Sequence, residues 1–572
     1  MYVSRFSIKK SCLTLLVDCC LMLSPCVQAQ VQVAPDRYRI DFVDKNYNRY
    51  TTDEPHLFLS ERALLRRARQ GIAVVQTDLP VSACYIDSLK RMGFEVLNTS
   101  RWFNSATVRC SPDDFGKLQT VNFIKHIADI RKETSADTVI GKEPDLELLF
   151  SFLFRKKNAE NDSPLYAAPV AFYGQAADQT GMMNGQALHN RGFRGKGMLI
   201  AVIDGGFYKV NRLSGFDNLR NDDRLREVRN FTVETKSVWG ENNHGTNVFS
   251  IIACDLPGRM MGSAPDAEYV LLRSEEIGAE YAVEEDNWVA AVEYADSIGV
   301  DVITSSLGYS VFDDASQNYC FDDLDGRTSR ASLAASMAAA RGMIVCVSAG
   351  NDGETNWKRI SVPADADSIM TVGAVDRNGQ YTSFSSVGYT ADKRIKPDLM
   401  AMGQETAYQN STGNINTGNG TSYSTPLLAG FVACLWQAFP DRGNMEILEM
   451  LKRSASHYHE PDSIYGYGVP DFAKLMETAT LPSAAQNDSY ILSVLPDTGA
   501  DGFALFLSPA RHGRISIRIR TVSGQQVFSH TDYLSGYDAY RLPVVWDANF
   551  TAGVYVAEAR TDAGITTAIL IR

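Results

Sequence analysis

At 572 residues, with 45% hydrophobic and 22% charged content, the chain is too long for one ordinary domain and has the composition of a folded globular protein. A formal net charge of −13 excludes a partner held by its phosphates, because nucleic-acid binding needs clustered Lys and Arg.

Residues 1–29 read as an export signal: Arg5, Lys9 and Lys10 precede the apolar run "CLTLLVDCCLMLSPCVQA", which ends at Ala29. Asp18 interrupts that run, which is too short to span a membrane, and Pro25 argues against a lipid anchor at Cys26. Cleavage after Ala29 leaves Cys84, Cys110, Cys254, Cys320, Cys346 and Cys434, with no CxxC pair to hold zinc. Export permits disulfides, and Cys84 with Cys110 is the pairing to consider.

Residues 30–135 alternate strand-like runs ("YRIDFV", "ATVRC", "IKHIADI") with helical ones, which predicts a small α+β domain. Within it, "SERALLRRARQ" is expected to form an amphipathic helix capped by Ser60, with Leu64 and Leu65 inward and the arginines solvated. Residues 136–172 are polar and aperiodic, a linker.

Over residues 173–480, buried runs such as "GMLIAVID", "EYVLLRS", "VDVITSSLG", "GMIVCVSAG" and "IMTVGAVD" alternate with helical patterns. This predicts an α/β domain with a mostly parallel sheet covered by helices on both faces. Residues 481–572 turn to short alternating strands separated by "SG" and "DAG" turns, an all-β sandwich.

Four stretches of the α/β region carry chemistry. "LIAVIDGGF" ends a strand at Asp204, "NNHGTN" opens a helix at His244, "VCVSAGNDG" follows a strand with Asn351, and "GNGTSYSTPLLAG" leads into a helix at Ser422. Taken alone, Ser422 reads as a helix-capping serine. Taken together, the set supplies what a serine nucleophile needs: a histidine base, a carboxylate that orients it, and an amide that donates to an oxyanion.

These stretches resemble the subtilisin-like serine proteases in motif and order, as do "SSLG", "TVGAVD", "YTSFSSVG" and "KPDLMA". The resemblance implies Ser422 as nucleophile, His244 as general base and acid, Asp204 as its orienter, and Asn351 with the Ser422 N–H as the oxyanion hole. It further implies that Ser306, Leu307 and Gly308 pair with substrate backbone, and that Ala349 and Gly350 line the pocket for the side chain before the scissile bond, expected to be large and apolar. Departures from the family pattern are Gly205, Asn247 and Ser424, none of them a catalytic group. His244 argues against a sedolisin-like acid peptidase, which would carry Glu there.

By the same resemblance residues 30–135 are a propeptide that assists folding and blocks the site, cut away between about Arg131 and Tyr166. The C-terminal strands resemble type IX secretion sorting domains, which implies that machinery as a partner and a secreted or cell-surface location. Peptides and proteins are the implied substrates. No cofactor is required; structural calcium is frequent in the family, but its ligands are not assignable here. "DDLDG" at Asp322 to Gly326 reads as a turn and cap, and "HYHE" at His457 to Glu460 as a polar helix end, so no metal ligand is named. Two alternatives stand beside the endopeptidase: a surface binding protein on a protease fold, and a protease that acts only on its own prosegment.

Overall fold

The computed structural model describes residues 32–118, 120–125, 170–232, 237–240 and 242–478, and in the C-terminal region the strands between 491 and 571. The expected export signal, the linker over 136–169 and the span proposed for cleavage lie outside the described residues.

The N-terminal unit is an antiparallel sheet of β1 (Gln32–Ala34), β2 (Arg37–Asp41), β3 (Glu95–Ser100) and β4 (Ser105–Arg109), in the order β1-β2-β4-β3. Tyr38, Ile40, Ala106 and Val108 alternate on its inner face and pack against Tyr85 and Leu89 of a helix. Its helices are α1 (Glu61–Arg69), α2 (Ala83–Arg91) and α3 (Pro112–Leu118). The Ser60 hydroxyl caps α1 by accepting from Ala63 N–H.

The expected faces of α1 are overturned. Leu65 is 49% exposed, whereas Arg66 and Arg67 are buried at 4% and 1%. The reason is a second surface against which the helix docks: Asp296 pairs with both arginines, at 2.8 Å for Arg67 Nη2. Cys84 and Cys110 are free thiols rather than a bridge.

The larger unit is built on seven parallel strands: β5 (Leu199–Asp204), β6 (Leu225–Asn230), β9 (Glu268–Arg273), β10 (Val302–Ser305), β11 (Ile344–Ser348), β12 (Met370–Val375) and β13 (Leu399–Met402). Small hairpins β7 (Asp255–Leu256) with β8 (Met260–Met261), and β14 (Thr406–Gln409) with β15 (Ile415–Gly418), flank it. The sheet order is β13-β12-β11-β10-β5-β9-β6, so β10 to β13 run outward in succession on one side of β5, while on the other β9 lies between β5 and the edge strand β6. Every residue of β5 is buried, because both faces are covered. Ile200 and Val202 pack with α4 (His244–Ala253) and α7 (Thr421–Ala438) on one side. Ala201 and Ile203 pack with α5 (Val283–Ile298) and α6 (Arg330–Ala340) on the other. Helix α5 stops at Gly299, whose φ of 89° is the left-handed C-terminal turn that glycine adopts without strain.

Trp102, Val33 and Ala34 of the N-terminal unit belong to the same apolar cluster as α5 and α6, so the two units share one core. The polar seam over α5 is an acid row met by bases. Asp286 accepts from Arg39 at 3.0 Å, Glu293 from the Arg101 and Trp102 N–H groups at 2.7 and 3.1 Å, and Asp296 from Arg66, Arg67 and Arg101. Burial by itself would raise the Asp296 carboxyl, but Arg101, Arg66 and Arg67 hold it below its ordinary value.

The C-terminal region forms two sheets. One is β16 (Ile491–Pro496), β17 (Gly502–Ser508) and β20 (Tyr540–Val545); the other is β18 (Gly513–Thr521), β19 (Gln526–Leu534), β21 (Val554–Thr561) and β22 (Gly564–Ile571). Leu505 and Val544 of the first share a core with Ile517 and Ala557 of the second, the arrangement of a sandwich.

Candidate active site

The chemistry-bearing residues gather at the carboxyl ends of the central strands, where an open parallel sheet changes direction. Asp204 is the last residue of β5 and fully buried, and His244 opens α4 beside it. His244 Nδ1 lies 2.9 and 3.0 Å from the two Asp204 oxygens. A carboxylate only accepts, so Nδ1 carries the proton, and the lone pair of the neutral ring is on Nε2. The Asp204 charge holds the imidazole above its ordinary pKa, against burial. Asp204 Oδ1 also accepts from Gly205 N–H at 2.7 Å. A Cβ at residue 205 would come within 2.7 Å of the Asn242 amide, which accounts for glycine there.

Ser422 is the second residue of α7 and does not cap it; the N-cap is Gly420, with no side-chain cap. Pro426 lies four residues on and has no N–H, so it cannot donate to the Ser422 carbonyl as a helix requires. That orphaned carbonyl instead accepts from Ser306 Oγ at 2.9 Å, and Ser422 Oγ reaches back to Ser306 O at 3.5 Å. Proline thus frees a backbone oxygen, and Ser306 uses it to pin the Ser422 turn to the end of β10.

Asn351 Oδ1 accepts from Thr421 N–H at 2.8 Å and from the Thr421 hydroxyl at 3.1 Å. This fixes the amide with Nδ2 left over, and neither Nδ2 nor the Ser422 N–H has a hydrogen-bond partner among the described residues. Two donors therefore stand unused, on two residues that line the same cleft.

Asp204, His244, Asn351 and Ser422 line one cleft of about 420 Å³ together with Ser306, Leu307, Gly308 and Gly350. Leu307 and Gly308 have no backbone hydrogen bond among the described residues, so their edge is open to a strand. A Cβ at Gly308 would lie 2.1 Å from Ser361 Oγ, so a side chain there would require the Ser361 hydroxyl to shift. Ala349 does not line the cleft. It is fully buried, and Ser348, the neighbour on β11 whose side chain alternates with it, lines the cleft instead, together with Ser361 from a later segment whose N–H donates to Ala349 O at 3.3 Å. Also missed were Asn242, whose Oδ1 accepts from His244 N–H at 2.9 Å, Asp352, and the acidic wall Glu275 and Glu280. Only "SEEIGAE" hinted at that wall.

Of the departures, Ser424 donates to Thr421 O at 3.0 Å inside α7. "DDLDG" is a turn in which Asp325 accepts from Arg327 and Thr328 N–H groups at 2.7 Å, and the α6 cap is Ser329. "HYHE" lies in the turn just after α8 (Asn444–Ser454), with His457 stacked on Tyr465.

A model of the subtilase family matches residues 195–468, and one of the peptidase S8 propeptide domain of Bacteroidota matches residues 37–143. The chain belongs to the subtilase family. It is 30% identical over 291 residues to Subtilisin NAT of Bacillus subtilis subsp. natto, a match covering 50% of this chain and 66% of that protein. It is 29% identical over 284 residues to Subtilisin BL of Lederbergia lenta, covering 50% of this chain and 92% of that one. Among solved structures, MycP1 from Mycobacterium smegmatis is 21% identical, with 59% of this chain and 94% of that chain covered and a TM-score of 0.41. Family membership makes this subtilase a peptidase of the serine type and gives it a propeptide domain as its own partner. No helix among its described residues is long and apolar enough to cross a membrane.

Proposed function

We propose that this subtilase is an exported serine endopeptidase that cleaves proteins through an acyl-enzyme on Ser422 and removes its own propeptide. The observation that carries the reading is the convergence of the Asp204–His244 pair, the Ser422 hydroxyl and the two unused N–H donors on one cleft.

Substrate backbone adds as a strand along Ser306 to Gly308, which brings the scissile carbonyl over Ser422. The Ser422 oxygen attacks the carbonyl carbon while its proton passes to His244 Nε2. The negative charge that develops on the carbonyl oxygen is received by Asn351 Nδ2 and the Ser422 N–H, at the positive end of α7. Asp204 keeps the resulting imidazolium oriented and stabilised. Collapse of the intermediate breaks the C–N bond, and His244 gives its proton to the leaving amine. Water, deprotonated by His244, then attacks the acyl-enzyme and restores Ser422. No metal enters these steps. The domain divisions at residues 29, 135, 172 and 480 follow from the same reading, with the sandwich as a sorting domain for type IX machinery.

The test is to express the precursor with and without Ser422→Ala, following propeptide cleavage and hydrolysis of a mixed peptide library. Both activities are expected from the wild type and neither from the variant. A wild type that hydrolyses no peptide once the propeptide is gone overturns the endopeptidase reading; cleavage confined to the propeptide leaves only the self-processing alternative.

A further inference from the structure

The wall of the cleft beyond Asp204 carries three carboxylates that the hydrolytic steps do not use. Glu275 and Glu280 line the cleft, and Glu284, in the first turn of α5, lies behind them at 1% exposure. One oxygen from each lies within 4.8 Å of the others. That is the largest separation two oxygens have across a single ion held at about 2.4 Å, the bond length of calcium to carboxylates.

The neighbours have already taken one oxygen of two of these groups. Glu275 Oε1 accepts from the Tyr309 and Ser274 hydroxyls, each at 2.8 Å, and Glu284 Oε1 accepts from Glu276 N–H at 2.8 Å. The remaining oxygen of Glu284, Oε2, is buried and has no hydrogen-bond partner. A fully buried carboxylate oxygen without a donor is costly, and two further carboxylates beside it add like-charge repulsion. No Lys or Arg pairs with the carboxylates of Glu275, Glu280 or Glu284 among the described residues; Arg273 Nε donates to the Glu275 backbone carbonyl at 3.1 Å, and Arg37 pairs with Glu276 at 2.6 Å. The cage is held in place by Tyr309 and by the backbone of the loop that carries it, and Asp313 Oδ2 accepts from Glu280 N–H at 3.1 Å.

We infer that Glu275, Glu280 and Glu284 form a binding site for one calcium-class divalent cation in the wall of the substrate cleft. Three carboxylates and flexible oxygen coordination suit calcium, whereas magnesium keeps most of its waters and demands a stricter octahedron. The ion would neutralise the buried Glu284 oxygen and tie the 275–280 loop to the start of α5, fixing the part of the cleft wall that Glu275 and Glu280 form. Glu275 shares the cleft with His244 and helps to hold the His244 imidazole above its ordinary pKa, so an ion there would also act on that ring.

The test uses the full chain carrying Ser422→Ala, which keeps it intact, in three forms: with no further change, with Glu284→Gln, and with Glu280→Gln. Calcium binding is followed by calorimetry, and terbium emission by excitation of tyrosine, since Tyr309 contacts Glu275. Expected is one calcium more in the parent than in each variant, or binding at that site weakened by at least about tenfold, with a calcium-displaceable terbium signal lost in both. Glu280 lies at the rim of the cleft, so its variant keeps the test decisive if Glu284→Gln fails to fold. Equal number and affinity of calcium ions in all three forms overturns the inference. So does unchanged calcium binding with Glu280→Gln abolishing, in the active enzyme, a preference for Lys or Arg in the peptide library, because the carboxylates would then serve a substrate side chain.

Discussion

Replacing Asp296 by Asn should uncouple the propeptide from the catalytic unit while leaving hydrolysis intact. Asp296 is fully buried beneath the N-terminal unit and receives Arg66, Arg67 and Arg101 on its two oxygens. Arg67 keeps Asp78 at 2.9 Å, and Arg66 keeps the Arg341 carbonyl at 3.2 Å, so neither guanidinium is left bare. What is lost is the carboxylate charge that Arg66, Arg67 and Arg101 share, and breaking such a buried pair costs about 3–5 kcal/mol. At about 1.4 kcal/mol per tenfold, the propeptide added in trans should inhibit the variant two to four powers of ten more weakly. Asp296 lies on α5, none of whose residues lines the cleft, so kcat/KM on a short peptide should stay within about threefold of the parent. The assay is a titration of each mature enzyme with isolated propeptide, reading residual peptide hydrolysis. A change in the inhibition constant smaller than tenfold would refute the argument that this acid-base seam holds the propeptide.

The raised His244 pKa sets the acid limit of hydrolysis. Neutral imidazole is the base, so kcat/KM should fall as pH drops through a pKa above the ordinary histidine value, and Asp204→Asn should move that limb downward as well as slow the reaction; a limb below the ordinary value in the parent would contradict the pairing. Asn351→Ala should lower kcat by about 10²–10³ with KM little changed, a magnitude taken from the matching amide of a subtilisin. Ser306→Ala leaves the Ser422 carbonyl without its donor, so the melting temperature should fall by the equivalent of about 1–3 kcal/mol and kcat should fall with it. A Ser306→Thr variant that keeps the hydroxyl should recover most of both, and failure to do so would point to packing at β10 instead.

The parallel sheet and the four motif residues were legible because their signals are local. Buried runs such as "LIAVID" and glycine-bounded turns report strands and their ends directly, and Asp204, His244, Asn351 and Ser422 each lie beside such an end. What was not legible depended on partners distant in sequence. "RALLRRAR" has the periodicity of a helix, yet which face is buried was decided by Asp296, more than two hundred residues away, so arginines replaced leucines at the interface. Ala349 pointed away from the cleft for a similar reason: β11 is covered on both faces, so apolar character does not tell which face holds the pocket. The bond between Ser306 and the Ser422 carbonyl was written in the sequence as Pro426, but reading it required knowing that Ser422 lay inside the helix rather than at its cap.

Covalent labelling of the cleft is the most direct test that Ser422 is the nucleophile and His244 its base. A fluorophosphonate offered to the processed protein transfers its phosphorus group to an activated serine, and intact mass with peptide mapping locates the adduct. One adduct per chain is expected, on Ser422, formed at a rate that falls steeply in His244→Ala and disappears in Ser422→Ala. An adduct on another serine, or labelling of Ser422 at the same rate without His244, would contradict the account.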